Sequence, residues 1–177
     1  MVAGEYWRLM SATLLHGSLD HLDGNAIALF ILGMVCEHAF GRGQLVVLYV
    51  ASGLTGSLAS LMTSPGPSVG ASGAIFGLQG AAIVLFRTQR DRLLLRDRRV
   101  GFVLLIWAIY TIAGGLLTPL IDNGVHVGGA LAGGLIARRL RPVVLAPLSA
   151  EQAARVQRRL WLVAAVLAYT VWGWIGS

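Results

Sequence analysis

Two polar residues, a serine and a histidine, each lie at the start of an apolar, glycine-lined segment of this sequence. Ser72 lies in the run 70–73 (Gly-Ala-Ser-Gly), and His126 lies in the run 126–129 (His-Val-Gly-Gly). An imidazole that accepts the proton of a serine hydroxyl turns the oxygen into a nucleophile that attacks carbonyl carbon. Polar groups inside apolar segments are costly to bury and usually serve a function. We therefore take Ser72 and His126 as a candidate nucleophile and its general base.

A second pair, His21 and Asn25, lies at the start of a third apolar segment. Residues four apart share a face of a helix, so the two side chains would project together. An amide NH₂ and an imidazole N–H are donors of the kind that stabilise an oxyanion. Ser72 would add the unpaired N–H groups of a helical first turn, where the helix dipole favours negative charge. Asp122 is expected to cap the helix of His126, so the pattern predicts a Ser-His dyad rather than a triad.

Glycines follow both Ser72 and His126 at helical spacing. The small residues after the two candidates are Gly73, Gly77 and Gly80 on one segment and Gly128, Gly129, Gly133 and Gly134 on the other. Small residues let two membrane helices approach closely. We therefore expect the two helices to bring Ser72 and His126 within hydrogen-bond reach, with Phe76 packed on the imidazole.

The amino-acid composition is typical of a membrane protein. Of 177 residues, 56% are hydrophobic and only 12% are charged, whereas soluble domains carry about a quarter charged residues. Apolar runs cover approximately residues 22–40, 44–62, 71–87, 100–118, 122–138 and 160–175. Most approach the ~20 residues that cross a bilayer. The expected fold is an all-α polytopic membrane bundle of about six transmembrane helices, and buried core helices of a soluble protein are the disfavoured alternative.

The positive charge comes from arginine, because the chain has no lysine. If every run crosses the membrane, all arginines except Arg8 lie on one side, which the positive-inside rule makes cytoplasmic. The net charge of +6 then needs no nucleic-acid partner. The same topology puts Ser72, His126, His21 and Asn25 at similar depth near the outer face. Arginine without lysine, together with abundant alanine, favours a bacterial plasma membrane.

The residues from about 7 to 141 resemble the rhomboid family of intramembrane serine proteases. Trp7-Arg8 with residues 15–18 (Leu-His-Gly-Ser) is similar to the first extracytoplasmic loop of the family, and His21 with Asn25 to its H-x-x-x-N element. Residues 37–42, Tyr49 and 52–53 resemble the end of its second helix and its third. The run 70–73 resembles its nucleophile motif, and the run 126–129 its base motif.

The resemblance implies a helical bundle with a water-filled cleft open to the outside. It implies cleavage of single-pass transmembrane proteins near their outer helix end, without metal or cofactor. Ser72 is then the nucleophile and His126 the base, with Asn25, His21 and the backbone around Gly70 and Ser72 binding the oxyanion and substrate. The Trp7–His16 region becomes a loop that supports the active site.

Three features depart from the family pattern. The usual first transmembrane helix is lacking, so we expect either a start downstream of the true one or a minimal form. Asp23 and Gly24 replace more usual apolar residues. An extra apolar run follows the family region. We therefore expect the chain to divide into a catalytic membrane domain (1–141), a cytoplasmic linker (142–159) and a C-terminal transmembrane helix (160–177).

Three functions remain open, and the leading one is an intramembrane serine endopeptidase acting on transmembrane substrates. The alternative is a catalytically silent rhomboid-like protein that binds transmembrane helices. A transporter fragment ranks last, because transporters place polar residues near the midplane. A metalloprotease is disfavoured, since no H-E-x-x-H motif exists. The substrate and the oligomeric state are not predicted.

Overall fold

The computed structural model describes residues 4–63, 66–93, 98–118 and 121–176, and within these ranges every regular element is helical. A short helix α1 (Arg8–Ser11) and a 3₁₀ turn (Ala12–Leu14) come first, and a second 3₁₀ turn (Arg90–Arg92) follows the fourth helix. The six long helices are α2 (Leu19–Phe40), α3 (Arg42–Thr63), α4 (Ser72–Thr88), α5 (Arg98–Leu116), α6 (Asn123–Ala137) and α7 (Ala150–Ile175). The all-α fold and its six predicted helices are confirmed.

Three of these helices are long and apolar enough to cross a membrane: α2, α3 and residues 99–116 of α5. Helix α4 is apolar but shorter, and α6 has 15 residues, which at 1.5 Å per residue gives about 22 Å. That length is below the ~30 Å thickness of a bilayer core. The two shorter helices are the ones that begin with the candidate serine and histidine segments.

Helix α4 lies at the centre of the bundle, and all its residues from 73 to 82 are buried. A Cβ at Gly129 would overlap the carbonyl of Gly73, and one at Gly133 would overlap the carbonyl of Gly77. These contacts need bare backbone on both helices, because any side chain would force them apart. The prediction that glycines bring α4 and α6 together is confirmed.

Helix α3 packs against the same pair. A Cβ at Gly56 would lie 2.8 Å from the carbonyl oxygen of Val125. On the opposite side, α2 contributes the fully buried Leu32, Cys36 and Phe40 to the main apolar core. Helices α2, α3, α5 and α6 thus all pack against α4.

Helix α7 lies outside this core, against α3 and the N-terminal segment. Val163 joins Met10, Val47 and Val50 in a separate apolar cluster. The helix begins at Ala150, because Ser149 and Gln152 form a reciprocal capping box. Residues 150–159, expected as linker, are therefore helical and continuous with the predicted run 160–175.

Candidate active site

Ser72 and His126 face each other at one end of the bundle. Ser72 is the first residue of α4, and His126 lies in the first turn of α6. The distance between Ser72 Oγ and His126 Nε2 is 3.0 Å, within hydrogen-bond reach. The glycine contacts between α4 and α6 make this approach possible, since they fix the two helices at backbone distance.

The imidazole of His126 is held by packing. The ring of Phe76 stacks on it with centroids 4.3 Å apart and an interplanar angle of 14°, as expected from the sequence. His126 is only 8% exposed, and its Nδ1 has no hydrogen-bond partner among the described residues. Its orientation therefore comes from Phe76 and the surrounding helices.

Asp122, the nearest acid in the sequence, is engaged elsewhere. Its Oδ1 accepts hydrogen bonds from the N–H groups of Gly124 at 2.9 Å and Val125 at 3.3 Å. Its Oδ2 accepts a bond from the hydroxyl of Ser60. The prediction that Asp122 caps α6 is confirmed, and in this arrangement its carboxylate bonds helix N–H groups and a serine rather than the imidazole.

His21, Asn25 and Gly70 meet at the same end. Gly70 has a φ of +122°, a conformation suited to glycine, and a Cβ there would lie 2.7 Å from His21 Cε1 and 3.4 Å from Asn25 Nδ2. The side chains from α2 thus reach the irregular segment that leads into Ser72. The Nδ2 of Asn25 is buried without a hydrogen-bond partner in the described residues. A buried amide donor normally finds an acceptor, so this group is free to bind one from a ligand.

The segment before α2 anchors the Gly70 backbone. The N–H of Gly70 donates to the carbonyl of Ala12 at 2.9 Å. The carbonyl of Leu9, one turn earlier, accepts a 2.8 Å bond from the hydroxyl of Ser57 on α3. Neither contact follows from the sequence pattern, although the resemblance implied a supporting loop in this region.

His16 lies beside His21, with ring centroids 5.2 Å apart and the rings at 71°. The sequence pattern did not predict this contact. The contact depends on the path of the chain between His16 and Leu19, which returns onto the first helical turn that carries His21. Within the described ranges, no group of three or more His, Cys, Asp or Glu side chains is arranged to hold a metal ion.

Comparisons with known proteins show which family the chain belongs to. Residues 3–142 match the Rhomboid domain family. The chain is 39% identical to Rhomboid protease GluP of Bacillus subtilis (strain 168) over 73% of its own length, 43% identical to RHOMBOID-like protein 5 of Arabidopsis thaliana over 73%, and 32% identical to Rhomboid protease AarA of Providencia stuartii over 76%.

These alignments cover 25%, 42% and 56% of the three relatives, so the chain spans about half their length or less. The family match over residues 3–142 includes the segments that carry His21, Asn25, Ser72 and His126. With its apolar helices, the protein is an integral membrane protein. This chain belongs to the rhomboid family.

Proposed function

We propose that this protein is an intramembrane serine endopeptidase in which Ser72 is the nucleophile and His126 the general base. The observation that carries the proposal is the 3.0 Å contact between Ser72 Oγ and His126 Nε2. It is formed by two residues that each lie in the first turn of a short, glycine-packed helix, and one of these helices, α4, lies at the centre of the bundle. A packing serine would not need a buried imidazole held in register with its hydroxyl.

In the first step His126 Nε2 accepts the hydroxyl proton while Ser72 Oγ attacks the carbonyl carbon of the scissile peptide. The imidazolium then returns the proton to the leaving amine as the C–N bond breaks, leaving an acyl ester on Ser72. Water, deprotonated by the same imidazole, hydrolyses the ester and regenerates the hydroxyl. Stacking on Phe76 keeps the ring in one orientation through these transfers.

The oxyanion of the tetrahedral intermediate would lie against three kinds of donor. The first N–H groups of α4 have no partner within the helix and stand at the positive end of its dipole. The buried amide of Asn25 has an unused donor, and His21 lies beside Gly70. Donors fixed before the reaction stabilise developing charge without reorganisation.

The substrate class is a transmembrane helix of a single-pass protein, cut near its outer end. This is supported by the position of the site. It lies at the end of the bundle opposite Arg42 and Arg139, and the positive-inside rule makes the arginine end cytoplasmic. We therefore propose a plasma-membrane enzyme, bacterial by composition, with its active site facing outward. The named relatives include rhomboid proteases of two bacteria.

The test is cleavage of a tagged single-pass substrate in proteoliposomes. Ser72→Ala and His126→Ala should each abolish cleavage to a similar extent, because the two residues act as a unit. Asn25→Ala should slow it by roughly 10²-fold, as expected for loss of one oxyanion donor. Thermal unfolding should stay close to that of the parent for all three.

Ser52→Ala is the matched control. Ser52 is fully buried, and its hydroxyl has no hydrogen-bond partner in the part of the chain that the structure describes. Its removal should leave cleavage unchanged. Cleavage by Ser72→Ala would refute the mechanism, whereas a folded parent that binds transmembrane helices without cutting them would establish the silent alternative.

A further inference from the structure

At the end of the bundle opposite Ser72, four arginines converge on one cleft. The cleft has a volume of about 280 Å³ and lies where the segment after α6 meets α3 and the first turns of α7. Its polar lining consists of Gln44, Arg139, Arg141, Gln152, Arg155 and Arg159. The volume is about nine times the ~30 Å³ that one water occupies in the liquid, which leaves room for a phosphate with its ester arm.

Buried hydrogen bonds fix the floor of this cleft. Gln44 is 4% exposed, and its Nε2 donates to the carbonyls of Phe40 at 2.7 Å and Arg141 at 2.9 Å. The amide therefore ties the start of α3 to the chain that leaves α6. The capping box of Ser149 and Gln152 fixes the start of α7, so the arginines project from two anchored segments of the backbone.

The cleft carries uncompensated positive charge. Among its four arginines, only Arg155 forms an ion pair with a carboxylate of the described residues, to Glu151 at 3.2 Å. The neighbouring Arg42 is also neutralised, by Glu37 at 2.8 Å. Arg139, Arg141 and Arg159 form no ion pair with a carboxylate in the part of the chain that the structure describes, and they surround one space. Such an arrangement favours an anion with more than one oxygen.

The surroundings of the cleft favour a lipid over a free anion. Leu148 and Val156 complete its lining, and beyond Arg159 helix α7 exposes Trp161 at 68% and Leu162 at 69%. A phospholipid has an acidic headgroup for the arginines and acyl chains for this apolar stretch, whereas inorganic phosphate would use the arginines alone. Basic pockets between membrane helices bind acidic headgroups in this way.

We propose that this arginine cleft is a binding site for the headgroup of an anionic phospholipid. If the Ser72 end faces outward, as proposed above, the cleft meets the cytoplasmic leaflet, where acidic lipids contribute a negative surface potential. The lipid then joins α3, the end of α6 and α7 at the membrane surface. This binding is independent of catalysis, so it holds or fails apart from the proposed protease.

Native mass spectrometry of the purified full chain tests the site, with thermal unfolding as a second readout. The ligands are phosphatidylglycerol, phosphatidylcholine with the same acyl chains, and inorganic phosphate. Arg139→Gln with Arg159→Gln alters the cleft. Arg138→Gln with Arg158→Gln is the matched control, because it removes the same charge from adjacent residues outside the lining.

Phosphatidylglycerol should bind the parent at least tenfold more tightly than phosphatidylcholine. Each arginine near the surface contributes about 1 kcal/mol, or about fivefold in affinity, so the cleft variant should weaken binding by roughly 25-fold and the control by no more than about twofold. Gln152→Glu gives a second variant that keeps the capping box and should weaken binding at least fivefold.

Three results would overturn the proposal. Equal losses in cleft and control variants would indicate diffuse surface charge. Equal binding of the two lipids would exclude recognition of an acidic headgroup. Displacement of phosphatidylglycerol by equimolar inorganic phosphate would indicate a free-anion site. If the variant with Arg139→Gln and Arg159→Gln does not fold, the Gln152→Glu variant tests the proposal instead. Unchanged phosphatidylglycerol binding in Gln152→Glu would then contradict a lipid site in the cleft.

Discussion

Replacing Gly70 by alanine is the sharpest single test of how the site is held. Gly70 has a φ of +122°, and an added Cβ would lie 2.7 Å from Cε1 and 2.8 Å from Nε2 of His21. Real Cβ atoms do not approach other atoms this closely, so the imidazole or the backbone must move. Either movement displaces groups that we propose bind the oxyanion.

Two effects combine in this variant. An alanine held at this φ costs of the order of 1–3 kcal/mol in backbone strain. Loss of the aligned donors should cost roughly 10²-fold in cleavage rate. Folded domains have about 5–15 kcal/mol of stability, so Gly70→Ala should remain folded with a lowered unfolding temperature and a strongly reduced rate.

Gly66→Ala is the control within the same loop, because a Cβ at Gly66 would meet nothing within 4 Å. It should keep the parent's rate and unfolding temperature. The double variant Gly70→Ala with His21→Ala separates strain from overlap. If the overlap with His21 contributes, the unfolding temperature of the double variant falls by less than the two decreases measured for the single variants added together.

The measurements are the rate of substrate cleavage in proteoliposomes and the unfolding midpoint of the same preparations. A Gly70→Ala protein with the parent's rate and midpoint would show that the loop relaxes without disturbing His21. Our account of how Gly70 holds the site would then be wrong. A loss of rate in Gly66→Ala equal to that in Gly70→Ala would contradict the account as well.

Three further changes probe the helix contact, the imidazole and the acid. Gly133→Ala should lower stability by about 1–3 kcal/mol, because its Cβ overlaps a backbone carbonyl. Its control is Gly114→Ala, where a Cβ meets nothing within 4 Å and the change should be neutral or stabilising by up to about 1 kcal/mol. Thermal unfolding measures both variants, and equal effects would contradict the packing argument. Phe76→Leu removes a stacked ring worth about 0.5–1.5 kcal/mol and should slow cleavage by roughly two- to tenfold in steady-state assays, so an unchanged rate would exclude a positioning role. Asp122→Asn keeps a capping oxygen and should change the rate by less than about tenfold, whereas a fall near 10⁴-fold would indicate that an acid assists His126.

Local patterns predicted the features of this fold that depend on local chemistry. The apolar runs predicted the long helices, and Asp122 was expected to cap α6. The cap at Ser149 was not predicted, so residues 150–159 were expected to be linker although they belong to α7. The approach of α4 to α6 follows from glycines at intervals of four, because only bare backbone allows it. Alternation of six spans also predicted that Ser72 and His126 share one end.

Contacts between distant segments were beyond these patterns. The bond from the Gly70 N–H to the Ala12 carbonyl joins two irregular backbones whose side chains carry no signal of it. The contact of His16 with His21 depends on the path of a turn. The arginine cleft depends on where α7 docks, and its residues, read along the chain, indicated only topology.

The docking of α7 has a consequence for biosynthesis. Trp7 lies against Gly173, where a Cβ would overlap its ring, and the hydroxyl of Tyr169 donates to the carbonyl of Gly4 at 3.4 Å. The stretch of chain that holds Gly70 through Ala12 thus packs on the helix that the ribosome makes after all the others described. Until α7 has been inserted, the N-terminal stretch lacks its apolar partner. The contacts that support Gly70 through Ala12 are therefore complete only once α7 has packed against the N-terminal stretch.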